Sequence, residues 1–355
     1  MTEVAAGVAA TTPAGPRPSV GTGRLESIGL GAFGLDDGST LPDLTVAYRH
    51  DGLAPTDGPQ VLVVHALTGS ADAAGDWWEP LIGPGRALDT TRYGVLCANL
   101  LGGRYGTSGP VSLDPQTRRP YGSSFPPVTT RDQARAQWRL LDALGVERVA
   151  LAVGGSLGGM VALEVALVRP GAVRHVAPIA APAATGPMAI AWNHLQVTLI
   201  ERLGLDGLAL ARQLAMTTYR SEADFAERFG RTKEPDGRPA IVSYLGYQGE
   251  KLVERFDPAT YRILARAMDG HDIGAGRGGL EEAFAALAGG ITVTGIGIED
   301  DILYGPRQVR ELVAAAAAAG VDARYREIRS TKGHDAFLVE WDQLSSLLRE
   351  ALDGG

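Results

Sequence analysis

The chain has a single cysteine, Cys97, among 355 residues. That excludes an intrachain disulfide and any zinc site built on thiolates. Cys97 lies in the apolar run YGVLCANLL, the setting of a buried structural thiol and not of a reactive one. No apolar stretch is long enough to span a membrane. Charge of the basic sign is short as well. A net charge of −8 argues against nucleic acid and anionic membrane surfaces as partners. The first residues, MTEVAAGVAATTPAGPRPSVGTG, lack both a basic n-region and an apolar core. They read as a disordered leader over residues 1–22, not as a signal peptide, and the expected location is the cytoplasm. Internal repeats are absent. Histidine is scarce, with six residues, which narrows the choice of a catalytic base.

What is present is a composition of ordinary globular type, 45% apolar and 21% charged, enough for one large α/β domain with an insertion. The most informative stretch is VALAVGGSLGGM, Val149 to Met160. Val149–Val153 is an uncharged β-prone run, the mark of a strand buried on both faces. Gly154, Ser156 and Gly158 then give G-x-S-x-G, and VALEVAL continues with helical character. Strand, tight turn and helix in that order make a nucleophile elbow, with Ser156 as nucleophile. The helix that starts there aims backbone N–H groups at a developing oxyanion.

Around this stretch the text alternates between strands and helices. Residues 24–51 alternate weakly and carry the turn signal DDG, so short antiparallel strands are expected at a sheet edge. Gln60–His65, Tyr93–Leu100 and Val173–Ala180 read as buried strands. Thr130–Leu144 has helical periodicity, with Thr129 or Thr130 as N-cap and Gly145 as terminator. From about Met188 to Leu287 only amphipathic helical text appears. The sheet resumes at Gly290–Ile298. A helix over Pro306–Ala319 with Gly320 as cap, a strand over Ala323–Ile328 and a helix over Trp341–Leu352 follow. This pattern specifies an α/β fold, a mostly parallel sheet with helices on both faces and an inserted helical lid, and the family resemblance given below implies the α/β-hydrolase fold. The expected divisions are a core over residues 23–184 and 289–355, with the lid over 185–288.

A serine nucleophile needs a base, and the base an orienting acid, in the chain order Ser, Asp or Glu, His. His334 stands in STKGHDAFL, a loop after the last strand, and is the expected base. His175 lies within a strand as a core histidine, and His194 and His271 fall on lid helices. The acid belongs in the loop IEDDILYGP, which offers Glu299, Asp300 and Asp301 without a chemical ground for choosing. The oxyanion hole combines the N–H of Leu157 with one from the turn HALTG, of which Leu67 is the expected donor. Trp77 and Trp78 suit either the substrate entrance or the core. No metal site is expected.

Taken together these stretches resemble the homoserine O-acetyltransferase family, acyl-CoA-dependent acyltransferases of the α/β-hydrolase superfamily. HALTG with WWEPLIGPGRALDTTRYGVLCANLLGGRYGTSGP looks like one signature, and DPQTRRPYGSSFPPVTTRDQARAQ is similar to a second. GGSLGGM, GLALARQLAMTTYRS, FAERFGR, YLGYQGEKLVERFDPATY, RAMDGHDIG, DILYGPRQV and GHDAFL also resemble family text. The resemblance selects Asp301 as the acid and gives Asp335 the acceptor's amino group. It implies ping-pong acetyl transfer from acetyl-CoA, a substrate and not a bound cofactor, to the hydroxyl of L-homoserine in methionine biosynthesis. Succinyl-CoA is the alternative donor, and another alcohol acceptor or a serine esterase the alternative function. It further implies a homodimer through the lid helices and a narrow tunnel to the serine.

One position departs from the pattern. Family members carry N-x-x-Q-R at the start of the lid, and the resemblance gives that arginine the homoserine carboxylate. Here the stretch is Asn193, His194, Leu195, Gln196, Val197. Losing a bidentate charged contact would weaken acceptor binding by about 1.5–3 kcal/mol or more. Either Arg202, little more than a turn onward, takes its place, or the acceptor is not homoserine.

Overall fold

A computed structural model describes residues 23–353, and the expected leader, residues 1–22, lies outside the described residues. The apolar runs become the inner strands of an eight-stranded sheet. Its members are β1 (Leu25–Gly29), β2 (Thr45–Gly52), β3 (Gln60–Val64), β4 (Gly94–Ala98), β5 (Val149–Gly155), β6 (His175–Ile179), β7 (Thr292–Ile298) and β8 (Asp322–Ile328). Their spatial order is β1-β2-β4-β3-β5-β6-β7-β8. β1 and β2 pair antiparallel, as do β2 and β4, and every later pairing is parallel. β3, β4 and β6 are buried along their whole length because helices cover both faces. The DDG signal makes the expected small hairpin, which pairs Phe33–Gly34 with Thr40–Leu41.

Strand order matters for the site. β3 lies between β4 and β5, so the chain changes direction across the sheet there, and the C-terminal ends of β3 and β5 open onto one crevice. Register places Val64 opposite Gly154, which brings the HALTG turn beside the serine turn.

Helix α1 (Thr130–Leu144) starts from Thr129, whose hydroxyl accepts from Asp132 N while Asp132 accepts from Thr129 N, each at 3.0 Å. This reciprocal cap satisfies two of the helix's orphan donors, and Gly145 ends it in the left-handed region at φ +79. α2 (Leu157–Val168) follows β5 directly and is buried on nearly every side, as its uniformly apolar text requires.

Between β6 and β7 come α3 (Pro187–Leu203), α4 (Leu205–Tyr219), α5 (Glu222–Phe229), α6 (Ala240–Arg255) and α7 (Pro258–Asp269). The two ends of this insertion are stitched together. Ala184 bridges Asp272, with Thr185 N donating to His271 O at 2.9 Å and Ile273 N to Ala183 O at 3.0 Å. α8 (Leu280–Ala285), expected within the lid, lies beyond this stem and packs on α9 (Pro306–Ala318) of the core. α10 (Trp341–Asp353) closes the described chain. No helix among the described residues is long and apolar enough to cross a membrane.

Candidate active site

Ser156 occupies the turn between β5 and α2 with φ +58 and ψ −126, a conformation that L side chains rarely adopt. Holding it there costs about 1–3 kcal/mol, and the surroundings enforce it. Ser156 N donates to Ile179 O of the neighbouring strand at 2.9 Å. A Cβ on Gly154 or on Gly158 would overlap the Val64 carbonyl oxygen, and one on Gly155 would overlap the Phe337 ring. The glycines of the elbow are therefore required by close approach of strand, helix and histidine loop.

The turn after β3 is fixed by His65. Leu100 N donates to its Nε2 at 3.0 Å, so Nδ1 carries the proton and donates to Ala66 O at 2.8 Å. Burial pushes this imidazole down to about 4 and keeps it neutral. Gly69 N donates to Ala66 O at 2.9 Å and closes the turn that contains Leu67. From the lid, Arg255 Nη1 donates to Thr68 O at 2.6 Å and braces the same turn. Leu67 lines the cavity. Leu157, directly after Ser156, has a fully buried side chain, and its main-chain N–H, as the first of a helix, has no intrahelical acceptor.

His334 and Asp301 reach the site from the loops after β8 and β7. His334 Nδ1 lies 2.7 Å from Asp301 Oδ2. The other carboxylate oxygen accepts from Leu303 N at 2.8 Å and Tyr304 N at 3.1 Å. These bonds distinguish Asp301 from Glu299 and Asp300, which stay toward solvent. Rings of Tyr219, Tyr304 and Phe337 pack around His334 with centroids 5.6–5.8 Å away. Burial pushes the imidazolium down, the Asp301 charge and hydrogen bond push it up with help from Asp335, and the balance lies above the ordinary value. Nε2 of His334 is buried without a hydrogen-bond partner.

A cavity of about 670 Å³ contains both Ser156 and His334 in its wall, with Leu67, Asp335 and the lid residues Arg212 and Tyr219. Sequence reading did not single out Arg212, Lys251 or Arg255, which all line this space. Arg212 lies in GLALARQ, a stretch noticed as a whole, but nothing local marks which lid arginine faces inward. Its guanidinium rests over the Tyr219 ring, 5.3 Å from the centroid, and makes no ion pair among the described residues.

The remaining expectations divide. Trp77 lines the cavity, whereas Trp78 is buried and donates to Phe337 O at 3.0 Å. Cys97 is buried and its thiol is pushed well up by desolvation. His175 is in the core beside Thr294, at 2.8 Å, and is pushed down to about 4. His194 is exposed on α3. His271, expected on a helix face, instead follows α7 and is buried at the lid stem. There it contacts Thr130 Oγ1 at 3.0 Å and Pro182 O at 3.2 Å.

The N-x-x-Q stretch ties helices together. Asn193 donates to Asp269 at 2.7 Å, and Gln196 accepts from Tyr261. Val197 is 6% exposed and packs in the apolar core, away from the cavity wall, and Arg202 is exposed on the last turn of α3. Arg202 therefore does not stand at the cavity, and Val197 is not part of its lining.

The chain matches the family described as alpha/beta hydrolase fold over residues 59–240. It is 46% identical to a homoserine O-acetyltransferase of Thermus thermophilus over 95% of this chain and 92% of that one. A homoserine O-acetyltransferase of Moorella thermoacetica is 43% identical over 90% and 92%. Among solved structures, homoserine O-acetyltransferase from Staphylococcus aureus superposes with a TM-score of 0.78 at 31% identity, covering 93% and 95%. An acetylester hydrolase from Corynebacterium glutamicum shares the fold, with a TM-score of 0.80 at 22% identity over 93% and 96%. By sequence likeness along almost its whole length, this chain belongs to the homoserine O-acetyltransferase family of α/β-hydrolase-fold acyltransferases.

Proposed function

We propose that the protein moves an acetyl group from acetyl-CoA to the hydroxyl of L-homoserine, as a cytoplasmic enzyme of methionine biosynthesis. The observation that carries this reading is the joint presence of Ser156, His334, Asp335 and Arg212 around one cavity. A serine with an acid-oriented histidine is an acyl carrier, and a carboxylate plus a guanidinium match the two charged ends of an α-amino acid.

In this mechanism His334, oriented by Asp301, takes the Ser156 proton as Oγ attacks the thioester carbon. The oxyanion is received by the Leu67 and Leu157 N–H groups. The C–S bond then breaks and His334 returns the proton to the leaving thiol. Homoserine enters with its ammonium on Asp335 and its carboxylate on Arg212. His334 removes the hydroxyl proton, the alkoxide oxygen attacks the acyl carbon, and collapse frees Ser156 with its proton restored. No bound cofactor takes part. Exposed apolar residues on the lid, among them Met188, Leu195, Leu203 and Leu205, favour a homodimer formed through α3 and α4.

The test is thiol release from acetyl-CoA with homoserine, with serine and with no acceptor. Rapid release that requires homoserine supports the reading, and succinyl-CoA in parallel identifies the donor. A burst of about one thiol per site that stalls with both amino acids points to another alcohol. Steady release without acceptor makes the protein an esterase.

A further inference from the structure

The loop bearing His334 and Asp335 is locked onto the lid at the corner that joins α4 to α5. Gly333 has φ +71, and a Cβ there would lie 2.7 Å from Ser221 N and 3.0 Å from Tyr219 O. Two main chains therefore touch where any side chain would separate them. Ser221 Oγ donates to the Thr331 carbonyl across the same seam. On the far side of the corner lies Asp224, whose side chain is fully buried. Three cations surround it: Lys332 Nζ at 3.3 Å, Arg228 Nη1 at 3.4 Å and Arg220 Nη1 at 3.9 Å. Arg220 in turn brings its Nε to 3.2 Å from Asp335 Oδ2.

One buried carboxylate cannot neutralise three cations, and Asp335 is the next acid in reach of the excess charge. Arg220 is itself largely buried, and its contacts with these two carboxylates are ion pairs and not hydrogen bonds. We propose that Arg220 is a positioning residue for the acceptor step. Set between Asp224 and Asp335, it orients the Asp335 carboxylate at the cavity wall, where that carboxylate receives the ammonium of an amino-acid acceptor. This inference rests on the acyl-transfer reading. Thiol release from the donor uses Ser156 and His334 but not Asp335, so only the second half-reaction depends on Arg220.

The experiment compares wild-type protein with Arg220→Gln and Arg220→Lys. Rapid-mixing thiol release from acetyl-CoA reads the first half-reaction. Steady-state kinetics with homoserine, and with 4-hydroxybutyrate, which lacks the ammonium, read the second. For Arg220→Gln the expected result is an unchanged burst, an unchanged response to 4-hydroxybutyrate, and a homoserine KM raised about 10- to 100-fold. Arg220→Lys, which keeps the charge, shows a smaller rise, and it carries the test if the glutamine variant does not fold. A homoserine KM equal to wild type in both variants overturns the proposal. So does a burst that falls in step with the acceptor reaction, since a general supporting role would slow both. Wild-type protein that releases no thiol either with or without homoserine would overturn the acyl-transfer reading itself.

Discussion

Asp301 is bound at both ends of its carboxylate: Oδ2 to His334 Nδ1 at 2.7 Å, Oδ1 to the N–H groups of Leu303 and Tyr304. The carboxylate is thus fixed by its own loop as well as by the imidazole. Asp301→Asn keeps the shape and removes the charge. We expect kcat to fall about 1,000- to 10,000-fold. The raised His334 value places the acidic limb of wild-type activity above 6.5, since the base works only when deprotonated. Any residual activity of the variant has its limb at lower pH, because the charge that held the proton is gone. A pH–rate profile of both proteins checks this.

Two lid arginines separate the cavity from the outer surface. Arg212 lines the cavity, whereas Arg202 faces solvent. Arg212→Ala is expected to raise the homoserine KM about 10- to 100-fold and leave the thiol burst intact. Arg202→Ala is expected to change neither. Kinetics of the two variants side by side decide the matter, and an effect of Arg202 alone would reverse the assignment.

Gly158 holds α2 against the end of β3, where a Cβ would meet the Val64 and His65 main-chain carbonyls. These are backbone atoms and cannot rotate aside. Gly158→Ala should cost about 3 kcal/mol of stability and displace Ser156, with activity lost even where the fold survives. Denaturant unfolding together with the burst assay reads both effects.

Three histidines, His65, His175 and His271, are pushed down to about 4, chiefly by burial. In the unfolded chain each titrates near 6.5. As pH falls from about 6.5 to 4 the unfolded chain takes up protons that the folded chain does not. Stability is therefore lost across that window, on the order of 3 kcal/mol for each histidine. Above pH 7 these groups contribute no pH dependence. Urea midpoints measured from pH 7 to 4 should fall steeply, and His175→Gln should flatten part of the slope. A flat profile in wild-type protein would contradict the burial argument.

The sheet was legible because its signals are local. Short uncharged β-branched runs such as Gln60–Val64 and Val149–Val153 read as buried strands, and capping residues such as Thr129 and Gly145 mark helix ends. Ser156 was legible for the same reason: the turn demands small residues at fixed positions around it. His334 followed from the order of a triad along the chain. Between Asp300 and Asp301 the residues alone gave no ground for choice, because neighbouring carboxylates in one loop are chemically identical until the loop is folded. Burial and two main-chain hydrogen bonds then single out Asp301.

The lid shows where such reading stops. Amphipathic text identified its helices, but each helix has two neighbours and a solvent side, and periodicity does not say which face meets which. The angles at which α3, α4, α6 and α7 pack turn Val197 into the core, Arg212 into the cavity and Arg202 to solvent. The same packing brings Arg220 between Asp224 and Asp335, residues that no spacing rule connects. By itself the sequence determined the strands, the serine turn and the class of chemistry, all encoded by short-range sterics and burial. Tertiary structure alone decided which charged side chains share a cavity, because that depends on how separately formed helices settle against one another.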